Sequence, residues 1–309
     1  MIQVRNLVKR YGELVALDHF DLDVRQGEIF GLLGPNGSGK TTAINCMLSL
    51  LKYSKGEVSL FGEQMNPNHY ANKMRIGVVM QNVAVFNELT VYENVDYFCG
   101  LYIPDKTKRK ALVEDAIAFT GLVEYRKFLP KKLSGGLLRR LNIACGIAHK
   151  PELLFLDEPT VAVDPQSRNH ILEGIRELNR NGATIVYTSH YMEEVEQLCS
   201  RIMIMDKGKA VATGTKEELK AMIRAGERLT IEVPSLPDVV LEEIKSADGI
   251  DVIEYESGLL TARCEAESHC LSMVLDILRR SGAPFGRVFS EPPTLNDVFL
   301  EITGKELKD

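Results

Sequence analysis

Residues 34–41 read GPNGSGKT, a spacing that lets a backbone wrap around an anion. Gly34, Gly37 and Gly39 carry no Cβ, so successive N–H groups can turn toward a phosphate. Lys40 supplies a point charge for the β- and γ-phosphates of a nucleotide, and Thr41 offers a hydroxyl to Mg²⁺. The flanking sequence has the context this chemistry needs. EIFGLL (28–33) reads as a short buried strand, and KTTAINCMLSLL (40–51) as a helix whose N-terminal dipole favours negative charge.

Two further fragments add to that chemistry. LLFLDEP (153–159) is an apolar strand that ends in two carboxylates. Such a strand carries its last residues to the carboxyl edge of a sheet, where a phosphate loop also sits. Asp157 suits Mg²⁺ through bound water, Glu158 can polarise an attacking water, and Pro159 stops the strand. LSGGLLRRL (133–141) places Ser134, Gly135 and Gly136 immediately before a helix, which makes a second backbone-and-dipole anion site. By itself this segment also describes an ordinary helix cap with loop glycines. A nucleotide has one triphosphate, and Lys40 already holds it. Two anion sites per chain therefore point to a dimer in which each Ser134 loop closes over the nucleotide of the other chain.

In this order the fragments resemble the nucleotide-binding subunit of an ABC transporter, and the resemblance covers residues 1–220. GPNGSGKT matches the Walker A motif, LSGGL the signature and LLFLDEP the Walker B motif. The resemblance implies ATP contacts from Gly34, Pro35, Asn36, Gly37, Ser38, Gly39, Lys40, Thr41 and Thr42, and adenine stacking on Tyr11 of KRYG. It implies that Gln81 of GVVMQN reaches Mg²⁺ and the attacking water, with Thr41 and Asp157 as the other metal-side groups. Glu158, His190 of YTSH and Gln81 become the catalytic set, His190 acting on the γ-phosphate. Ser134, Gly135, Gly136 and Asp164 of AVDP would reach ATP from the partner chain. Two departures stand out. Leu137 occupies the place of the signature's usual final glutamine and should pack as the first apolar residue of its helix. The loop before Asp164 reads VAVDP and not the commoner SALD form.

These residues need a scaffold, and strand-like and helix-like runs alternate through the first part of the chain. LLFLD and ATIVYTS are continuous apolar strands separated by a helix, the pattern of a parallel sheet covered on both faces. Early strands without intervening helices predict an antiparallel β-subdomain, and residues 91–148 predict a helical lobe. The fold class expected is α/β: a P-loop NTPase ABC cassette over residues 1–222, followed by a small ferredoxin-like α+β domain over 228–309. That second domain is predicted from the order β-α-β-β-α-β, with a hairpin turning at Ser257-Gly258. Its tail, PPTLNDVFLEITG, resembles the one on exporter ATPases for drugs, antibiotics, lipids or sodium, among them the daunorubicin-resistance type.

Bulk composition narrows the function classes. A net charge of −6 over 309 residues argues against nucleic acid as the main partner. Six cysteines form no C-x-x-C pair, so buried free thiols in a reducing cytosol are expected. His269 and Cys270 are adjacent on a helix and point apart, which argues against a metal site there. No run approaches the roughly 18 apolar residues of a membrane span, and no apolar leader precedes the first strand. The expected protein is a cytoplasmic, Mg²⁺-dependent ATPase held at the inner face of the membrane through a separate permease. Residues 81–100 are the expected dock, where Val85, Phe86 and Leu89 would suit a partner helix or cover the lobe junction. Two other functions use the same phosphate-loop chemistry: a soluble ABC-type ATPase acting on ribosomes or nucleic acid, and an importer ATPase. The first usually has two cassettes or a coiled-coil insert, and neither occurs here.

Overall fold

The computed structural model describes residues 1–223, 225–265 and 270–304. The chain divides into two compact units between Lys216 and Glu217. The division falls a few residues before the expected boundary at 222–228, at the first residue of a short helix.

In the first unit the chain runs β1 (Ile2–Tyr11), β2 (Leu14–Val24), β3 (Ile29–Leu33), α1 (Lys40–Met47), β4 (Lys55–Leu60), β5 (Glu63–Gln64), α2 (Tyr70–Lys73) and β6 (Ile76–Val79). The helical stretch follows, with α3 (Val91–Gly100), α4 (Lys106–Phe119) and α5 (Gly135–Ile147). Then come β7 (Leu153–Asp157), α6 (Pro165–Arg180), β8 (Thr184–Ser189), α7 (Met192–Leu198), β9 (Arg201–Asp206) and β10 (Lys209–Gly214), and the division falls within the next helix, α8 (Lys216–Lys220).

These strands make two sheets. The first is antiparallel, in the order β2-β1-β4-β5. The second has six strands in the order β10-β9-β3-β8-β7-β6, parallel except for the β9–β10 pair. β3, β7 and β8 are buried along their whole length, as continuous apolar runs predict for central parallel strands. Helix α1 shares one core with both sheets: Ala43, Ile44 and Met47 pack in a cluster with Phe20, Leu22, Phe30 and Phe155. Truncating Phe155 to alanine there should cost about 3–5 kcal/mol.

The helical lobe is fixed by its caps. Thr90 and Glu93 form a capping box at α3, and Asp105 and Ser134 cap α4 and α5. Gly77 and Gly146 let α5 approach β6 closely; a Cβ on Gly77 would stand 2.5 Å from the Gly146 carbonyl oxygen.

The second unit runs β11 (Ala225–Glu232), α9 (Asp238–Lys245), β12 (Ile250–Glu256), β13 (Leu259–Glu265), α10 (Cys270–Ser281), β14 (Val288–Glu291) and α11 (Leu295–Thr303). Its sheet is antiparallel in the order β12-β13-β11-β14. Leu229, Ile231, Leu260, Val274 and Leu278 belong to its own apolar core. Ser257 and Gly258 both have positive φ at the hairpin between β12 and β13.

The cysteines depart from expectation. Cys264 at the end of β13 and Cys270 at the start of α10 form a disulfide, with Cα atoms 5.8 Å apart. The pair forms because a strand end and a helix start converge, a contact that C-x-x-C spacing does not encode. His269, the neighbour in the expected non-metal pair, lies outside the described residues. Cys46, Cys99, Cys145 and Cys199 are free and buried, as expected. Burial pushes the Cys145 and Cys199 thiols up, so they stay protonated and unreactive.

Candidate nucleotide site

β3 delivers the chain to Gly34, and α1 starts six residues later at Lys40. The residue between loop and helix is Gly39, at φ 107°, a conformation an L side chain resists. The loop is also hemmed in. A Cβ on Gly39 would lie 2.8 Å from the Ala16 carbonyl oxygen, and one on Gly34 would lie 2.4 Å from that of Met205. Lys40 is 5% exposed. Its ammonium donates to the Gly34 carbonyl at 2.8 Å and the Pro35 carbonyl at 3.3 Å, and it stands 3.3 Å from Glu158 Oε1. Burial pulls the Lys40 ammonium below the ordinary lysine range, and Glu158 and Asp157 oppose that pull.

The two acids are set by sheet order. β8 lies between β3 and β7, so Thr188 sits beside the end of the acid-bearing strand. Its hydroxyl donates to Asp157 Oδ1 at 2.6 Å and accepts from the Glu158 N–H at 2.9 Å. Thr41 donates to the other Asp157 oxygen at 2.7 Å, which joins the phosphate loop to the acidic strand end. Glu158 has φ 47° and is 5% exposed. Besides Lys40, its carboxylate receives the Gln81 amide at 3.3 Å. His190 Nδ1 also lies 3.3 Å away, in ion-pair range but without hydrogen-bond alignment. Three side chains far apart in sequence thus converge on one carboxylate.

A cleft of about 550 Å³ opens over this constellation. Tyr11, Leu14, Val15 and Ala16 line one side; Asn36, Gly37, Gly39, Lys40, Thr41, Thr42, Gln81, Glu158 and Lys207 complete it. Tyr11 is about half exposed, and the Lys9 ammonium stands 4.5 Å from its ring centroid. Another cavity, about 450 Å³, is lined by Leu112, Phe119, Leu154 and Leu178 and holds none of the predicted site residues.

Ser134, Gly135, Gly136 and Asp164 form a separate cluster, and none of them lines the cleft of their own chain. Ser134 caps α5, its hydroxyl accepting from the Leu137 N–H at 3.3 Å. Asp164 caps α6 by accepting from the Ser167 N–H at 2.9 Å, a bond that holds its carboxyl below the usual range. The two caps meet at Gly136, where a Cβ would stand 2.4 Å from Ser167 Oγ and 2.9 Å from Asp164 Oδ2. Leu137 is half-buried near the start of α5.

Sequence reasoning missed several supporting residues. Thr188 was hidden because its role depends on β8 lying between two strands that are not its chain neighbours. Arg139 donates to the Met80 and Gln81 carbonyls at 3.0 and 2.7 Å, and Asn142 accepts from the Ala84 N–H at 3.1 Å. Together they tie α5 to the Gln81 loop. Their signal was two polar residues, three apart, on the apolar face of α5. The Lys207-Gly208 turn braces the phosphate loop, with Gly208 donating to the Ser38 carbonyl at 2.9 Å. The expected dock also needs correction. Of Val85, Phe86 and Leu89, only Phe86 is exposed; Val85 and Leu89 are half-buried. Asn94 accepts from the Phe86 N–H and donates to the Phe86 and Leu89 carbonyls, which folds this loop back on α3. The exposed large apolar residues of this stretch are Val83, Phe86 and Tyr97, with Leu101 just beyond it.

The donor set fits a magnesium nucleotide. Thr41, Asp157 and Gln81 offer hard oxygen ligands, and Thr41 and Asp157 already stand one hydrogen bond apart. The Ser38 hydroxyl is buried in the loop with no protein partner, and a side chain at Gly34 or Gly39 would block the cradle. Among the described residues no cluster of three His, Cys, Asp or Glu offers an alternative metal site.

Comparison with known proteins agrees. Residues 17–161 match the ABC transporter family. Over its full length the chain is 36% identical to the linearmycin resistance ATP-binding protein of Bacillus subtilis (strain 168), covering 100% of both. A daunorubicin resistance ATP-binding protein of Streptomyces coeruleorubidus is 34% identical, over 99% of this chain and 96% of that one. The Nod factor export ATP-binding protein I of Ralstonia nicotianae (strain ATCC BAA-1114 / GMI1000) is also 34% identical, over 100% and 95%. In structure, the chain is similar to a dimeric ATP-binding cassette in a post-hydrolysis state with ADP and Pi. The TM-score is 0.64 at 26% identity, covering 70% of this chain and 98% of that one. Among the described residues no helix is long and apolar enough to cross a membrane. The chain belongs to the ABC transporter family, as an ATP-binding, ATP-hydrolysing subunit.

Proposed function

We propose that two copies of this chain close over ATP and drive a membrane permease that exports a drug, antibiotic or lipid. Tyr11 stacks on adenine, and residues 34–42 hold the phosphates, with Lys40 transferring from Glu158 to the β- and γ-phosphates. Thr41, Gln81 and Asp157 would hold Mg²⁺, which when bound offsets triphosphate charge. Glu158 orients the attacking water, and His190 stabilises charge at the γ-phosphate. Ser134, Gly135, Gly136 and Asp164 of each chain complete the pocket of the other. Cleavage removes the charge that bridges the two chains, and they part. The dock for the permease is the surface of residues 81–100, centred on Phe86 and Tyr97, whose rings meet edge-on at 4.9 Å. That contact places the subunit at the cytoplasmic face of the membrane. Export is favoured by full-length similarity to a Nod factor export ATP-binding protein and to two resistance ATP-binding proteins. The β-α-β-β-α-β order and sheet order of the second unit fit a ferredoxin-like accessory domain that stabilises or regulates the dimer.

The observation that carries this reading is the convergence of Lys40, Gln81 and His190 on Glu158, in a cleft that Ser134 and Asp164 of the same chain do not line. The test is transport in inside-out vesicles containing this subunit and its membrane partner. ATP-dependent accumulation of a labelled amphipathic drug or lipid is expected, and Lys40→Ala should abolish it while weakening nucleotide binding about a hundredfold. ATP-driven loss of preloaded solute from such vesicles would overturn the export assignment. Unchanged ATP affinity in Lys40→Ala would overturn the nucleotide site.

A further inference from the structure

Behind His190 lies a buried polar network that no step above uses. Its centre is Glu194 of α7, a carboxylate only 4% exposed. One oxygen, Oε2, accepts three hydroxyls: Thr160 at 2.7 Å, Tyr187 at 2.7 Å and Ser189 at 3.2 Å. The other, Oε1, stands 3.3 Å from Nε of Arg168 on α6, an ion-pair contact without hydrogen-bond alignment. Thr160 and Tyr187 are fully buried, and Ser189 is 1% exposed.

Burying a carboxylate is costly, and a well-packed apolar residue commonly supports a fold as well. What the network does locally is hold the chain on both sides of His190. Ser189 precedes the histidine; its hydroxyl donates to Glu194 and accepts from the Tyr191 N–H at 2.9 Å. Tyr191 follows the histidine, with its ring centroid 4.2 Å from the imidazole. The Arg168 guanidinium lies 4.8 Å from the centre of that same Tyr191 ring. Arg168 therefore touches both Glu194 and the neighbour of His190. It also sits one turn into α6, its N–H bonded to the carbonyl of the capping Asp164 at 2.9 Å.

We propose that Glu194 is a positioning residue: through Arg168 it links the start of α6, which carries Asp164, to the two residues that flank His190. Closure of a second chain on the Asp164 loop is thereby felt at the histidine. This inference rests on the nucleotide-site reading above and adds a residue that does not line the nucleotide cleft. Substituting Glu194 disturbs hydrolysis and spares nucleotide binding, because the network does not line the cleft.

The test uses the full chain with Glu194→Gln, Arg168→Ala and the double variant, and Lys40→Ala as reference. Steady-state ATPase, nucleotide affinity by a fluorescent ATP analogue, and melting temperature are measured for each. Glu194→Gln is expected to lower kcat about tenfold or more, with KM and analogue affinity within about twofold. Arg168→Ala should lower kcat by about threefold, and the double variant should match Glu194→Gln, because the two residues act through one another. A folded Glu194→Gln chain with kcat within about twofold of the unsubstituted protein overturns the inference. So does a double variant whose loss is the product of the single losses, or a parallel fall in nucleotide affinity. Should Glu194→Gln fail to fold, Arg168→Ala decides alone: its side chain is one-third exposed, and unchanged kcat overturns the link. Undiminished binding in Lys40→Ala would instead refute the nucleotide site itself, so the two failures are separable.

Discussion

The cleft around Glu158 and the cluster around Ser134 and Asp164 are built in opposite ways. In the cleft, α1, β7, β8 and the Gln81 loop each contribute a side chain or a backbone group to one interlinked set. Lys40, Thr41, Gln81, Asp157, Thr188 and His190 contact one another or Glu158 directly. At the cluster, two helix starts are capped by their own first residues and pack edge to edge. It presents N–H groups and a hydroxyl and, within one chain, does not line the cleft around Glu158. In the proposed reading the first region holds the nucleotide and the second is offered to the partner chain.

The largest effect should come from the centre of the first region. Glu158→Gln keeps the shape and removes the proposed base, so kcat should fall about a thousandfold while ATP remains bound. Gel filtration with ATP then shows an accumulating dimer. Unchanged turnover would remove Glu158 from the chemistry. Next comes the second region. Ser134→Arg should cut hydrolysis about a hundredfold and leave analogue binding by the dilute chain within about threefold. If binding failed instead, the two regions would not be separate. A smaller effect is expected from Thr188→Val, which strips Asp157 and the Glu158 N–H of one shared partner. About tenfold in kcat and about 1–3 kcal/mol in stability should be lost, read by kinetics and urea titration.

A last effect, on stability alone, probes α5, the helix that joins the two regions. It begins at the Ser134 cap and ends near His149, whose Nε2 bonds the Ile76 carbonyl at 3.0 Å on the strand leading to Gln81. Burial pushes His149 down from 6.5 to about 4. The unfolded chain takes up that proton near pH 6.5 and the folded chain does not. Stability is therefore full above that pH and falls through the window toward pH 4, by about 3 kcal/mol. Urea midpoints measured from pH 7 to pH 4 should show the slope, and His149→Gln should flatten it.

Much of the first region could be read directly from the sequence, because its chemistry sits in contiguous motifs. GPNGSGKT and LLFLDEP each name a strand, a turn and the groups at its end. Sheet order was less visible. Thr188 belongs between Asp157 and the Glu158 N–H only because β8 runs between β3 and β7, and no local pattern states that. Arg139 carries no motif of its own in LLRRL, yet it is 5% exposed and holds the Gln81 loop by two carbonyls. The dock misled for a similar reason. Val85 and Leu89 are apolar loop residues, but Asn94 folds that loop back and leaves Phe86 outermost. The bonded Cys264–Cys270 pair likewise depends on a strand end meeting a helix start. The division at Lys216 and Glu217 precedes the restart of the strand and helix pattern at 222–228, because it falls inside α8 and not after it.

The central claim is that hydrolysis needs both regions and that they come from different chains. ATPase rate per chain measured against chain concentration tests it most directly, down to molecules tethered too sparsely to meet. The account predicts turnover that climbs with concentration and disappears for isolated chains that still bind ATP. A constant rate per chain across that range would contradict it.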